Sequence, residues 1–470
     1  SVVIGHDHRH HSREFSLIAA RVFHQAGLRV YRYEVSTPTP LVPFGVCHLG
    51  ADFGVMITAS HNPAIDNGYK VYGGNGCQIM SPVDKEIAAQ IQAQQHRLWP
   101  LKEQESAWEC PLEAVWGAYV ARLQGLSEAL LGNCPRWIPP IIYTPLHGLG
   151  GPWIERLLHR LNLPQPIPVD AQYLPDPNFP TLRFPNPEEG KGALAMAMDK
   201  AAQCHAKWIF ANDPDVDRFN VAELQADGEW RIFNGNEIAC LYAQFLWKHR
   251  GKLGSDKFAM VSSGVSSNAL RQMAQQEGFV YEATLTGFKY IANAAQRLER
   301  EAGCKVLLAY EEAIGFMIDT IVWDKDGLGA LLAMYALILE LGGPEGSLVS
   351  CLEQFEQRYG CFLQHNGYYF CQTTPKAIFK AIRERLTQPP VIPLLKIEDQ
   401  GITQITLHLS DTQWLTLRAS GTEPKLKFYS ETYCREPVRK EAMQKEHTEL
   451  IKRLLAWLLP TSQLELAPSN

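Results

Sequence analysis

The chain reads as an α/β protein of several domains: three similar α/β units with mixed sheets, then an α+β unit. Two observations predict this. At 470 residues it exceeds what one core organises, since domains usually run to about 100–200 residues. Short apolar runs also alternate with helical stretches, and that alternation, the mark of α/β layers, restarts several times.

The first unit holds "SVVIG", the helical "SLIAARVFHQAG", then "LRVYRYEV" and "FGVMIT". Near residue 138 "PPIIYTPLHGLGGPWIERLLHRL" gives an apolar run, a Gly-rich turn and a helix, and "KWIFANDPDVDRFNVAEL" reads as strand, acidic loop, strand. A third unit opens at "NGNEIACLYAQFLWKH" and continues through "KFAMVSSG", "FVYEATLTGFKYI" and "KVLLAYEEAIGF". The last, beginning near "GYYFCQTTPKAIFKAIRERL", includes "ITLHLSDTQWLTLRASGTEPKLKFYSETY", which alternates like antiparallel strands around a Gly-containing loop. Segments 174–192 and 385–394 read as Pro-rich loops rather than repeats. The expected bounds are 1–135, 136–233, 234–360 and 361–470. The amphipathic stretch after His447 is expected to pack as a last helix on the fourth unit.

Composition narrows the function. Lys+Arg 44 against Asp+Glu 50, without blocks of like charge, argues against nucleic acid or an anionic membrane as the main partner. Eleven scattered cysteines without a C-x-x-C pair indicate reduced thiols and a cytoplasmic location rather than a disulfide framework or zinc knuckle. No apolar run reaches the roughly 18 residues of a membrane span. The first residues already read as strand, so an N-terminal strand and loop are expected to be missing. Oligomeric state is not fixed by the sequence, with a monomer favoured.

Four loops carry chemistry. In "MITASHNPAIDNGYK" Ser60 follows an apolar run beside His61 and ahead of Asn-Pro; without a triad it is a poor nucleophile. Phosphorylated, it bears about −1.5 to −2 charges and needs a cation. "NDPDVDR" places Asp213, Asp215 and Asp217 at alternate positions, which in an extended loop point to one side; three carboxylates beside a phosphate suit Mg²⁺, while the Gly and Glu of an EF-hand are absent. "YEEAIGF" offers Glu311 to sugar hydroxyls, and "TGFKYI" and "WDKDG" place Lys289 and Lys325 in loop-like contexts. "RASGTEPK" sets Arg418, Ser420, Thr422 and Lys425 around Gly421, a phosphate cradle without a P-loop.

In this order "TASHNP", "NDPDVDR", "YEEAIGF" and "RASGTEPK" resemble the phosphoserine, metal, sugar and phosphate loops of the α-D-phosphohexomutase superfamily. "VVIGHDHRHHSREF", "YTPLHGLGG", "FPTLRFPNPEEGKG" and "NGNEI" agree, and the wording is most similar to the eukaryotic phosphopentomutase branch, which also shows phosphoglucomutase activity. The resemblance implies four domains around a central cleft, Ser60 as phosphoryl carrier, and one Mg²⁺ per chain held by Ser60, Asp213, Asp215 and Asp217. It places Arg9, His61 and Lys70 near the phosphoserine, with His61 or Lys70 moving protons. It assigns Arg218, Thr286, Gly287, Lys289, Glu311, Ala313 and Lys325 to substrate, and Arg418, Ser420, Gly421, Thr422 and Lys425 to its distal phosphate.

The implied reaction interconverts ribose or deoxyribose 1-phosphate and 5-phosphate through a sugar bisphosphate, which also serves as activator. Ala313 stands where glucose-preferring members usually have Ser; the lost hydroxyl removes a sugar hydrogen bond worth about 0.5–1.5 kcal/mol. Val216 replaces a usual Gly or Ala and is expected to be tolerated because its side chain alternates away from the ligands. A mainly phosphoglucomutase enzyme, a glucose 1,6-bisphosphate synthase and an inactive sugar-phosphate-binding scaffold are the alternatives. A phosphatase is disfavoured, because a closing cleft excludes water.

Overall fold

The computed structural model describes residues 1–96, 108–132, 139–371, 373–401, 403–420, 425–459 and 466–468. They divide into two compact units, Ser1–Ser266 with Glu277–Leu352, and Ser267–Gln276 with Glu353–Asn470. Among them no helix is long and apolar enough to cross a membrane.

The first unit is built on three sheets. Strands β1 (Val2–His6), β2 (Val30–Arg32), β3 (Phe53–Ile57) and β4 (Tyr69–Gly73) are ordered β2-β1-β3-β4. The next has β5 (Ile141–Thr144), β6 (Ile167–Pro168), β7 (Trp208–Asn212), β8 (Phe219–Leu224) and β9 (Trp230–Ile232) in the order β6-β5-β7-β8-β9. The third has β10 (Phe258–Ser263), β11 (Val280–Thr284), β12 (Lys305–Glu311) and β13 (Gly315–Ile318), ordered β11-β10-β12-β13. In each, three strands are parallel and the next returns antiparallel. Helices make the parallel crossovers, which is why the central strands read as unbroken apolar runs: both faces are covered. The strand order is common to all three sheets.

Each sheet therefore has one equivalent hairpin, between its last parallel strand and the antiparallel return. Ser60 lies in the first, Asp213–Asp217 in the second and Glu311–Ala313 in the third. Each carries a residue in the left-handed region: Ser60 at φ 52°, Val216 at 61° and Ile314 at 52°. For β-branched Val and Ile this conformation is strained, and persists because the surroundings hold it. Gly235, which opens the helix Gly235–His249, supplies such a surrounding: a Cβ there would stand 2.1 Å from the Glu312 carbonyl oxygen. Asn234 and Glu237 close a capping box over the same helix start.

The second unit holds an antiparallel sheet of β14 (Cys361–Gln364), β15 (Gly367–Cys371), β16 (Lys396–Asp399), β17 (Gln404–Ser410), β18 (Gln413–Ala419), β19 (Lys425–Cys434) and β20 (Leu466–Pro468). The terminal helix Lys440–Leu458 lays Ile451, Leu454, Leu455 and Leu458 against Leu407, Leu415 and Leu417, as its periodicity required.

Candidate active site

The site grows from the first two hairpins. Ser60 Oγ donates to Asp213 Oδ2 at 2.9 Å and lies 3.3 Å from His61 Nδ1. The Ser60 loop is held from beneath by Arg9, 3% exposed, whose guanidinium donates to the carbonyls of Ser60 and Asn62 at 2.6 Å and Pro63 at 2.7 Å. Asp7 accepts the Arg9 amide at 3.0 Å and approaches its Nε at 3.4 Å. Arg9 thus lies beside Ser60, its guanidinium on four backbone carbonyls, the fourth being that of Asp66 at 3.4 Å.

Asp213, Asp215 and Asp217 converge, each buried, with one oxygen from each within 4.8 Å of the others. The expected extended loop is corrected: residues 214–217 form a turn closed by Val216 N to Asp213 O at 3.0 Å. Alternation does not gather the carboxylates; a left-handed Val216 does, its side chain buried.

Cations bind one side of this cluster. Lys70 Nζ donates to Asp215 Oδ2 and Asp217 Oδ2, both at 2.8 Å, and Lys325 Nζ stands 3.3 Å from Asp217 Oδ2. Arg218 donates its amide to Asp213 Oδ1 and its guanidinium to Glu188 Oε2, each at 2.9 Å. Thr39 adds a 2.6 Å hydroxyl donation to Asp215 Oδ2. Asp215 Oδ1 and Asp217 Oδ1 are buried with no hydrogen-bond partner. Burial, then Asp215 and Asp217, push the Asp213 carboxyl well above the usual range. Burial pushes Glu311 up too, opposed by Lys325 and Arg218. For Lys70, burial works against the charge, but Asp215, Asp217 and Asp324 outweigh it and raise its pKa. Buried carboxylate oxygens without a hydrogen-bond partner, Asp217 Oδ1 with only Arg218 Nε at 3.8 Å, are the donor set of a hard divalent cation, so these residues fit Mg²⁺.

The third hairpin divides its glutamates. Glu312 Oε2 accepts from Ser263 at 3.0 Å and Ser266 at 3.2 Å, whereas Glu311 feels Lys325 and Arg218 most. Ala313 is half-buried next to them. Lys325 keeps its loop but is 7% exposed and paired with Asp217. Lys289 is corrected: it is the second residue of the helix Phe288–Ala302, which Gly287 precedes at φ 120°, and it stands 3.6 Å from Asp84. Thr286 Oγ1 is buried without a hydrogen-bond partner.

In the second unit Arg418 lies on β18, and Ser420 donates its amide to the Lys425 carbonyl at 2.9 Å. Lys425 Nζ sits 4.5 Å from the Tyr368 ring centre. Gly421 and Thr422 lie outside the described residues. Sequence reasoning missed Thr39, Glu188, Asp324 and the Ser263–Ser266 pair; "TPTP" and "WDKDG" were the available signals, and neither names its partner.

Family models for phosphoglucomutase/phosphomannomutase alpha/beta/alpha domains I, II and III match residues 1–98, 136–226 and 234–357. A probable phosphoribomutase of Schizosaccharomyces pombe is 38% identical, covering 91% of this chain and 78% of that protein. The chain belongs to the α-D-phosphohexomutase superfamily. Within it, it falls in the phosphopentomutase branch: the Homo sapiens phosphopentomutase is 36% identical over 99% of this chain and 83% of its own. The Homo sapiens glucose 1,6-bisphosphate synthase is 33% identical over 98% and 81%. The superfamily fold recurs in the phosphoglucomutase parafusin of Paramecium, with TM-score 0.71, 16% identity and coverage of 99% of this chain and 88% of that one.

Proposed function

We propose that this superfamily member is a Mg²⁺-dependent phosphopentomutase, moving a phosphoryl group between the 1- and 5-hydroxyls of ribose or deoxyribose, with glucose phosphates as secondary substrates. One observation carries the reading: the Ser60 hydroxyl donates to Asp213 within a buried cluster whose other two carboxylates each keep an oxygen without a hydrogen-bond partner.

In this reading phospho-Ser60 gives its phosphoryl group to the free hydroxyl of a sugar monophosphate. The resulting bisphosphate reorients and returns its other phosphate to Ser60. Asp213, Asp215 and Asp217, with the phosphoserine oxygen, would hold one Mg²⁺, which supplies charge neutralisation to the transferring phosphoryl group. Arg9 fixes the loop by its carbonyls, and His61 would exchange the hydroxyl proton, a role its 3.3 Å distance from Oγ supports. Lys70, bound to Asp215 and Asp217, holds those carboxylates in place.

Glu311, Arg218, Lys289, Lys325, Thr286 and Gly287 are assigned to the sugar phosphate, and Arg418, Ser420, Gly421, Thr422 and Lys425 to its distal phosphate. The four-domain partition at 1–135, 136–233, 234–360 and 361–470 belongs to the same proposal, as does a cytoplasmic location, supported by free thiols at the described cysteines.

The test is kcat/KM for ribose 1-phosphate against glucose 1-phosphate, with Mg²⁺ and a sugar bisphosphate activator. A ratio well above one is expected. A ratio below one overturns the pentose assignment in favour of a glucose enzyme, and net release of bisphosphate favours the synthase named among the relatives.

A further inference from the structure

One buried carboxylate beside the cluster has no part in that chemistry. Asp324, 1% exposed, lies in the segment leading to the helix Gly327–Glu340. Its Oδ2 accepts from Tyr72 Oη at 2.9 Å and Gln78 Nε2 at 2.8 Å, and its Oδ1 from the Lys325 amide at 2.8 Å, with Lys325 Nζ 3.7 Å away.

The connection to the site runs through β4. Lys70 and Tyr72 are two apart on that strand, so they face the same side. One face of β4 thereby delivers Lys70 to Asp215 and Asp217, and Tyr72 to Asp324. Beyond Tyr72 the hairpin tip is fixed on the third sheet. Asn75 donates to Asn293 and Gln296, each at 3.1 Å, and Cys77 joins the core of Ala259, Val261 and Phe288. Both lysines that flank Asp217 are thus tied to Asp324, Lys325 directly and Lys70 through its strand.

We propose that Asp324 is a positioning residue, fixing Lys70 and Lys325 against Asp217 and offsetting their charge so that the acidic cluster accepts a divalent cation. The proposal rests on the metal reading above. With Asp324 neutral, the two lysines on the cluster lose one of their counter-charges, Glu311 remaining beside Lys325, and they repel the incoming ion more strongly. At buried separations of several ångströms, one unit charge changes affinity by roughly ten-fold or more.

The experiment titrates the full chain with Mn²⁺, reading free ion by electron paramagnetic resonance, for wild type, Asp324→Asn and Tyr72→Phe. Asp324→Asn is expected to raise the Mn²⁺ Kd about ten-fold. It should lower kcat and recover part of that kcat at high Mn²⁺, which a purely structural role would not produce. Tyr72→Phe, which only loosens Asp324, should move the Kd the same way by about three-fold. A folded Asp324→Asn with wild-type Kd overturns the proposal. Should that variant fail to fold, an unchanged Kd in Tyr72→Phe overturns it. Wild type that binds no Mn²⁺ defeats the metal reading and this inference together, whereas wild-type binding indifferent to both variants defeats this inference alone.

Discussion

The hairpin bearing Ser60 and the hairpin bearing Asp213–Asp217 occupy the same place in two sheets of one design, yet they are stabilised in different ways. The Ser60 loop presents a hydroxyl and is fixed through its backbone, four of its carbonyls bound by Arg9. The acidic loop presents three carboxylates and is fixed through its side chains, by Lys70, Lys325, Thr39 and the Arg218 amide. A loop that carries a transferable group keeps its side chain accessible; a loop that holds charge commits its side chains and leaves selected oxygens over. In both, a left-handed residue turns the chain back into the antiparallel strand.

The largest expected effect separates these two loops. Ser60→Ala should lower kcat by roughly 10⁴-fold or more, since it removes the carrier, while Mn²⁺ binding weakens less than on loss of a carboxylate, because the three aspartates remain. Asp215→Asn should do the reverse in kind, with Mn²⁺ affinity reduced at least about ten-fold. Isotope-exchange assays and Mn²⁺ titration check the pair; appreciable turnover in Ser60→Ala would end the phosphoserine assignment.

Next in size is the third hairpin, which takes two serine hydroxyls on Glu312 and, against Gly235, leaves no room for a Cβ. Gly235→Ala puts a Cβ against the Glu312 carbonyl, and displacing that loop by about 1 Å should cost up to roughly 10²-fold in kcat/KM. Steady-state kinetics and a lowered Tm are the readouts. Wild-type kinetics in a folded variant would show that the floor yields and the loop does not.

The smallest effect lies outside the hairpins and serves as their contrast. In the C-terminal unit His447, 1% exposed, bonds Ser430 at 3.0 Å and Gln413 at 2.9 Å, and burial, with His365 adding to it, lowers its pKa from 6.5 to about 4. Above pH 6.5 both folded and unfolded forms are neutral and the full stability is present. Between about 6.5 and 4 only the unfolded chain takes up the proton, so stability falls on acidification by up to roughly 3 kcal/mol. His447→Gln should flatten the difference between urea midpoints at pH 7 and pH 5, with kcat near pH 7 unaffected; an equal acid loss in the variant refutes the assignment.

Much of this was legible in the sequence because buried parallel strands are contiguous apolar runs. "FGVMI", "IIYT", "WIFAN" and "FAMVSS" became β3, β5, β7 and β10. The motifs likewise located Ser60 and the three aspartates. What was not legible is long-range. Thr39 meets Asp215 across 176 positions and Tyr72 meets Asp324 across 252, and neither partner leaves a local pattern. The common strand order is likewise a matter of which strands pair. Lys289 was misplaced for a local reason: Gly287 reads as a turn, when it stands immediately ahead of a helix that runs to Ala302 and is capped by Gly303. Val216 was judged by alternation, which fails once the loop is a turn.

The seat of Cys77 also orders the life of the nascent chain. Its hairpin belongs to the first sheet, but the apolar neighbours that cover it, Ala259 through Met317, are made long afterwards. At about 5–20 residues per second, synthesis leaves the tip uncovered for on the order of tens of seconds. During that interval the strand bearing Lys70 has its sheet but not its cover, which arrives only when residues 259–317 have been made.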